Sequence, residues 1–134
     1  MISIREYQIF RQEEILRLYE SVGWTSYLER RDVLKRAYEN SLYVLGAYDE
    51  ERLVGILRAV GDGSSIVFIQ DILILPEYQR QGIGTALLKT AMGKYKDVYQ
   101  LELLTDNSEK TIAFYRSVGM LPATDIGCLS FIRM

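Results

Sequence analysis

Histidine is absent from this chain, and cysteine occurs once, as Cys128. Without an imidazole there is no Ser-His or Cys-His nucleophilic pair, and the commonest metal ligand is missing. A single cysteine closes no internal disulfide and builds no cysteine zinc site. No metal is therefore expected. No apolar run approaches the roughly 20 residues that cross a bilayer. The opening MISIREYQIF lacks the basic-then-apolar order of a secretory signal. These absences predict no membrane contact and a cytoplasmic location. A net charge of −2 and a pI of about 5.2 argue against a nucleic-acid partner. The basic stretch ERRDVLKR (29–36) reads as a solvated helix face.

The 134 residues, 49% hydrophobic and 25% charged, suit one soluble domain spanning 1–134 with a real core. There is no repeat, low-complexity tract or linker. Ile2 to Arg5 reads as a short strand. From Gln12 to Val22, Ile15, Leu16, Leu18, Tyr19 and Val22 recur at helical spacing until Gly23. Trp24 to Tyr27 is an aromatic connection, and a second helix is predicted over Glu29–Tyr38. The period then changes. Ser41–Tyr48 and Leu53–Val60 are strand-like around a turn at Asp49–Arg52, and Ser65–Leu75 is a long strand after GDGSS (61–65). A helix from Gly82 to about Tyr95, a strand over Tyr99–Thr105 and a helix from Ser108 to Gly119 follow. One or two final strands are predicted within Met120–Met134. The order β-α-α-β-β-β-α-β-α-β describes a mixed α/β sheet covered by helices.

The stretch PEYQRQGIGTALL (76–88) carries the chemistry. A strand that enters a helix through glycines presents backbone N–H groups and the positive end of the helix dipole, a setting suited to phosphate. Glycine admits positive φ and lets backbone approach an anion closely. Gly82 and Gly84 equally suit a plain tight turn. Two phosphate motifs fail here. A dinucleotide fingerprint needs a third glycine where Leu87 stands, and a nucleotide P-loop needs one before Lys89-Thr90, where Leu88 stands.

A third motif matches. Gln79-Arg80-Gln81-Gly82-Ile83-Gly84 fits [QR]-x-x-G-x-[GA], and TDNSEKTIAFYRSVGM (105–120) follows it at suitable spacing. Together these resemble the GNAT superfamily of acyl-CoA-dependent N-acetyltransferases over essentially the whole chain. The resemblance implies a mostly antiparallel sheet splayed between two parallel strands and flanked by about four helices. It implies an enzyme moving an acetyl group from acetyl-CoA to a primary amine, by direct attack in a ternary complex. A non-catalytic acyl-CoA-binding regulatory domain of the same shape is the alternative.

Residue by residue, the resemblance places the coenzyme A pyrophosphate on amides from Gln81 through Gly82, Ile83 and Gly84 to Thr85, with Gln79 and Arg80 beside it. It places the pantetheine arm along Ile72, Leu73 and Ile74, with Asn107 as a further contact. Tyr115 takes the place of the acid that protonates the departing thiolate. Many members carry a glutamate base where this chain has Phe68, so Asp71, acting through water, becomes the candidate base, with Gln70 and Glu102 the other polar residues nearby. Alternation puts Gln70, Ile72 and Ile74 on one face of the strand and Asp71, Leu73 and Leu75 on the other. The acceptor amine, of a small molecule or a peptide, is expected near Trp24 and Tyr27 and parts of Cys128–Phe131. The Val22-Gly23-Trp24 segment adds a likeness to plastid-type arylalkylamine acetyltransferases, which favours an aryl or hydrophobic amine. A homodimer is compatible with this reading.

Overall fold

A computed structural model describes all residues, Met1–Met134. Its backbone contacts gather into two compact units, Met1–Leu104 and Thr105–Met134, each taken by itself below.

The first unit is built on a five-stranded sheet in the order β1-β2-β3-β4-β5. The strands are β1 (Ile2–Glu6), β2 (Tyr43–Asp49), β3 (Arg52–Gly61), β4 (Ile66–Ile74) and β5 (Gln100–Leu103). The first three pairings are antiparallel and β4–β5 is parallel. Three helices accompany them: α1 (Gln12–Ser21), α2 (Arg31–Glu39) and α3 (Ile83–Lys94). Seven consecutive β3 residues, Leu53 to Ala59, are buried, so both faces of this strand are covered. Helices α1 and α3 both lie against it. The predicted apolar stripe of α1 is its buried face, with Ile15 and Leu18 fully inaccessible.

The cap of α1 sets up the site described below. Gly23, at φ +82°, donates its N–H to Glu20 C=O, and Trp24 donates to Tyr19 C=O at 2.9 Å. This double cap satisfies two orphan carbonyls, and only a residue comfortable at positive φ makes it without strain. The next residues form a one-turn 3-10 helix, Ser26–Glu29, so α2 starts two residues later than its pattern suggested.

The second unit holds α4 (Glu109–Ser117) and a 3-10 turn, Ala123–Ile126. Ser108 caps α4 as predicted, its Oγ accepting the Thr111 N–H at 3.2 Å. The strands predicted within Met120–Met134 do not form. Pro122 leads instead into the 3-10 turn, which Gly127 closes at φ +77°, and Cys128 N–H returns to Ala123 C=O. Residues 128–134 have no ladder partner, and alternation alone does not make a strand without one.

Candidate functional site

The turn joining β4 to α3 begins with a short 3-10 helix, Pro76–Tyr78. The backbone then passes through two left-handed residues, Arg80 at φ +64° and Gly82 at φ +83°. Gly82 is the N-cap of α3, and the first bond of the helix runs from Ala86 N–H to its carbonyl at 3.0 Å. No side chain caps this end, and no acid lies in the first turn. The N–H groups of Ile83, Gly84 and Thr85 therefore face outward at the positive end of the helix. A Cβ added at Gly84 would meet nothing within 4 Å beyond its chain neighbours and its own helix backbone. Internal packing does not demand this glycine, and the space it leaves is a cradle lined by amides. Such a cradle suits a phosphate group. Gln79 turns back to the strand, its Nε2 donating to Ile74 C=O at 2.9 Å. Arg80 and Gln81 are exposed. Lys89 and Thr90 lie on the helix surface, as their position past the first turn predicts.

The strand leading to this turn is only half paired on one side. β5 matches β4 from Ile66 to Ile69, while β3 follows β4 as far as Ile74. From Gln70 onward one edge of β4 has no strand beside it, and its backbone groups are open to an extended ligand. At the same point the register with β3 shifts, because β4 advances from Ile69 to Asp71 while β3 advances from Ala59 to Arg58. Alternation holds as predicted: Asp71 and Leu73 are buried, Ile72 and Ile74 half-buried, and Gln70 exposed.

Asp71 occupies a crowded pocket. Its Oδ2 accepts Arg58 Nε–H at 2.8 Å and Tyr19 O–H at 2.6 Å. Arg58 and Asp71 are each 5% exposed and stand directly opposite each other in the β3–β4 ladder. Tyr38 lies 3.0 Å from Tyr19, hydroxyl to hydroxyl, and its ring packs against the Arg58 guanidinium. Arg58 also reaches Ser41 Oγ at 3.3 Å. Burial first, then the neighbouring Tyr38 and Asp71, push the Tyr19 phenol far above the ordinary tyrosine range. The Tyr19 ring packs edge-on to Tyr27, with centroids 5.3 Å apart, and tilted to Trp24 at 6.2 Å. Trp24 is 47% exposed and Tyr27 half-buried, so two accessible rings rest on a buried third. Sequence reasoning singled out Trp24, Tyr27 and Asp71 but not Arg58 and Tyr19, which the structure packs or bonds against them. Arg58, the single charge inside LVGILRAV, was the available signal, because a buried arginine demands a buried acid.

In the second unit Tyr115 is half-buried, and its ring packs edge-on to Phe114 at 5.0 Å. Burial, and secondarily the charge of Asp106, raises its phenol above the ordinary value. Asn107 is exposed. The turn chemistry before α4 falls to Asp106, which accepts the Ser108 N–H at 2.9 Å and the Thr111 hydroxyl at 3.2 Å. Asp106 was not singled out from sequence, although D-x-S-x-x-T is a readable turn pattern. Cys128 to Phe131 are exposed and make no regular structure. No three cysteine, aspartate or glutamate side chains come together to hold a metal ion.

The chain as a whole is similar to known proteins. A GNAT family acetyltransferase of Streptococcus pneumoniae is 42% identical, with a TM-score of 0.91 over 100% of this chain and 98% of that one. An uncharacterised N-acetyltransferase of Prochlorococcus marinus is 34% identical over 112 residues, which is 79% of this chain and 60% of the relative. The chain thus spans about three fifths of the length of the curated relatives it matches first. PaiA N-acetyltransferase from Thermoplasma acidophilum, solved in complex with coenzyme A, is 21% identical and shares the fold, with a TM-score of 0.70 over 89% of each chain. The family model of the acetyltransferase (GNAT) family matches residues 9–120, a span that takes in the glycine turn, the half-paired strand and α4. The chain belongs to the acetyltransferase (GNAT) family.

Proposed function

We propose that this protein transfers the acetyl group of acetyl-CoA to a primary amine, with both substrates bound together. The observation that carries the reading is the uncapped N-terminus of α3, where Gly84 leaves an open cradle over outward-facing amides. The coenzyme A complex of the structurally similar Thermoplasma protein supports the same choice of ligand. Amides of Gln81 to Thr85 would hold the pyrophosphate, and the open edge beside Ile72, Leu73 and Ile74 would receive the pantetheine arm. Bound acetyl-CoA supplies an acetyl group activated as a thioester and leaves as a thiol. Tyr115 holds a proton at Oη through neutral pH, since its phenol is raised rather than lowered, and releases it to the leaving sulfur. The neutral amine would form the new C–N bond as the thioester C–S bond breaks and would lose a proton to solvent, from which Tyr115 would regain its own.

The test is thiol release from acetyl-CoA across a panel of primary amines, with acetyl-CoA binding measured separately by calorimetry. Amine-dependent thiol release with a stoichiometric acetylated product is the expected result. Tight acetyl-CoA binding with no turnover on any amine would instead support the regulatory acyl-CoA-binding reading.

A further inference from the structure

Four buried polar side chains, Arg58, Asp71, Tyr19 and Tyr38, form one connected cluster that acetyl transfer as described above does not use. Every member is at most 7% exposed, and no buried side-chain polar atom is left without a partner. Such a cluster is costly to bury and makes geometry specific when fully satisfied. The element it constrains most directly is the aromatic pair above it. Tyr19 reaches Asp71 with its hydroxyl, while its ring carries Tyr27 on one contact and Trp24 on another. The backbone enforces the same arrangement, since Trp24 N–H is bonded to the Tyr19 carbonyl in the helix cap. Tyr19 is thus pinned at both ends. A phenylalanine there would keep the cap and lose the anchor on β4.

We infer that Tyr19, anchored by Asp71, is a positioning residue for the acceptor: it fixes the Trp24–Tyr27 shelf on which a flat aromatic amine rests, and takes no part in proton transfer. This rests on the reading of the protein as an amine acetyltransferase only for its kinetic test, since shelf and tether also report without turnover. Asp71 has the same positioning task. The bonds from Tyr19 and Arg58 fall on one oxygen of a nearly inaccessible carboxylate, an arrangement that holds a ring in place.

Trp24 is the chain's single tryptophan, so its fluorescence reads the shelf directly. Tyr19→Phe is the decisive variant, because it keeps the ring and leaves the Arg58–Asp71 pair intact. In the free protein, acrylamide should quench Trp24 about twofold more readily in Tyr19→Phe than in wild type, on the scale of one lost charge-assisted bond. Phenethylamine, titrated against Trp24 emission, should bind wild type and bind the variant about tenfold more weakly. In turnover, KM for phenethylamine should rise by about the same factor, with kcat, KM for acetyl-CoA and the pH profile unchanged. Trp24→Leu should raise the same KM, and the double variant should add little to either single one. Unchanged quenching and unchanged phenethylamine affinity in Tyr19→Phe would overturn the inference, as would wild type that does not bind phenethylamine. A fall in kcat with a displaced pH profile would overturn it too, by giving the cluster a proton-transfer role. Wild type that binds phenethylamine yet acetylates no amine would sink the acetyltransferase reading alone, leaving the fluorescence result to decide the tether.

Discussion

Tyr115 and Gly84 separate the two halves of the proposed reaction. Tyr115→Phe removes the hydroxyl that carries the proton and keeps the ring against Phe114. It should lower kcat by roughly 10²-fold while leaving acetyl-CoA affinity near wild type, measured by steady-state kinetics alongside calorimetry. Unchanged kcat with acyl transfer rate-limiting would reduce Tyr115 to a packing residue. Gly84→Val acts on the other half. Its Cβ meets nothing within 4 Å beyond its chain neighbours and its own helix backbone, so the free protein should melt within a degree or two of wild type. The branched side chain would fill the cradle, and acetyl-CoA affinity should fall by about tenfold or more, as when backbone can no longer approach a phosphate. Equal affinity in a folded variant would move the pyrophosphate away from this turn. Both residues stand out in the sequence because each sits in a motif with fixed spacing. The tether under Trp24 does not, because Asp71, Arg58 and Tyr19 are brought together by a register shift and a helix docking that no local pattern encodes.

Among the elements, periodicity was most informative where one face alone is buried. The stripe of α1 and the alternation of β4 were both read correctly from apolar spacing. The glycines that stop α1 and α4 were equally readable. Gly119 repeats the double cap of Gly23, with bonds from Gly119 to Arg116 and from Met120 to Tyr115. The strands expected within Met120–Met134 do not form, because pairing depends on a neighbour that sequence does not name. The α1 cap gives an element-scale prediction. Gly23→Ala has open space for its Cβ, so its cost comes from φ +82° alone. Urea denaturation should show a loss of about 1 kcal/mol with an unchanged m-value. A loss near zero would mean that the cap relaxes without consequence.

At the scale of the whole molecule, tyrosine burial sets an alkaline limit. Tyr7, Tyr19 and Tyr38 are each buried, and burial is the first cause that raises each phenol beyond its usual value of 10.0. Below pH 10 both folded and unfolded chains keep these protons, and the contribution to stability is fully present. Above it the unfolded chain ionises while the folded one does not, so stability falls by about 1.4 kcal/mol per pH unit for each tyrosine, or about 4 for the three. Urea midpoints should be flat with respect to these groups up to pH 10 and then drop steeply, with the last tyrosinate absorbance, beyond that of exposed rings such as Tyr99, appearing at unfolding. Titration of all ten tyrosines in a still-folded protein would contradict the burial of these rings.

The half-paired strand has a further consequence, in the time domain. Successive residues of a strand direct their N–H groups to opposite sides, so Gln70 to Ile74 carry two populations of amide. Those bonded to β3 should exchange with deuterium slowly, at the pace of the core, and those along the open edge should exchange within the first sampling. One short peptide would then give a two-step uptake curve in the free protein. Acetyl-CoA occupying that edge should merge the two steps into one. The strand would act as its own clock for how long the cosubstrate stays bound.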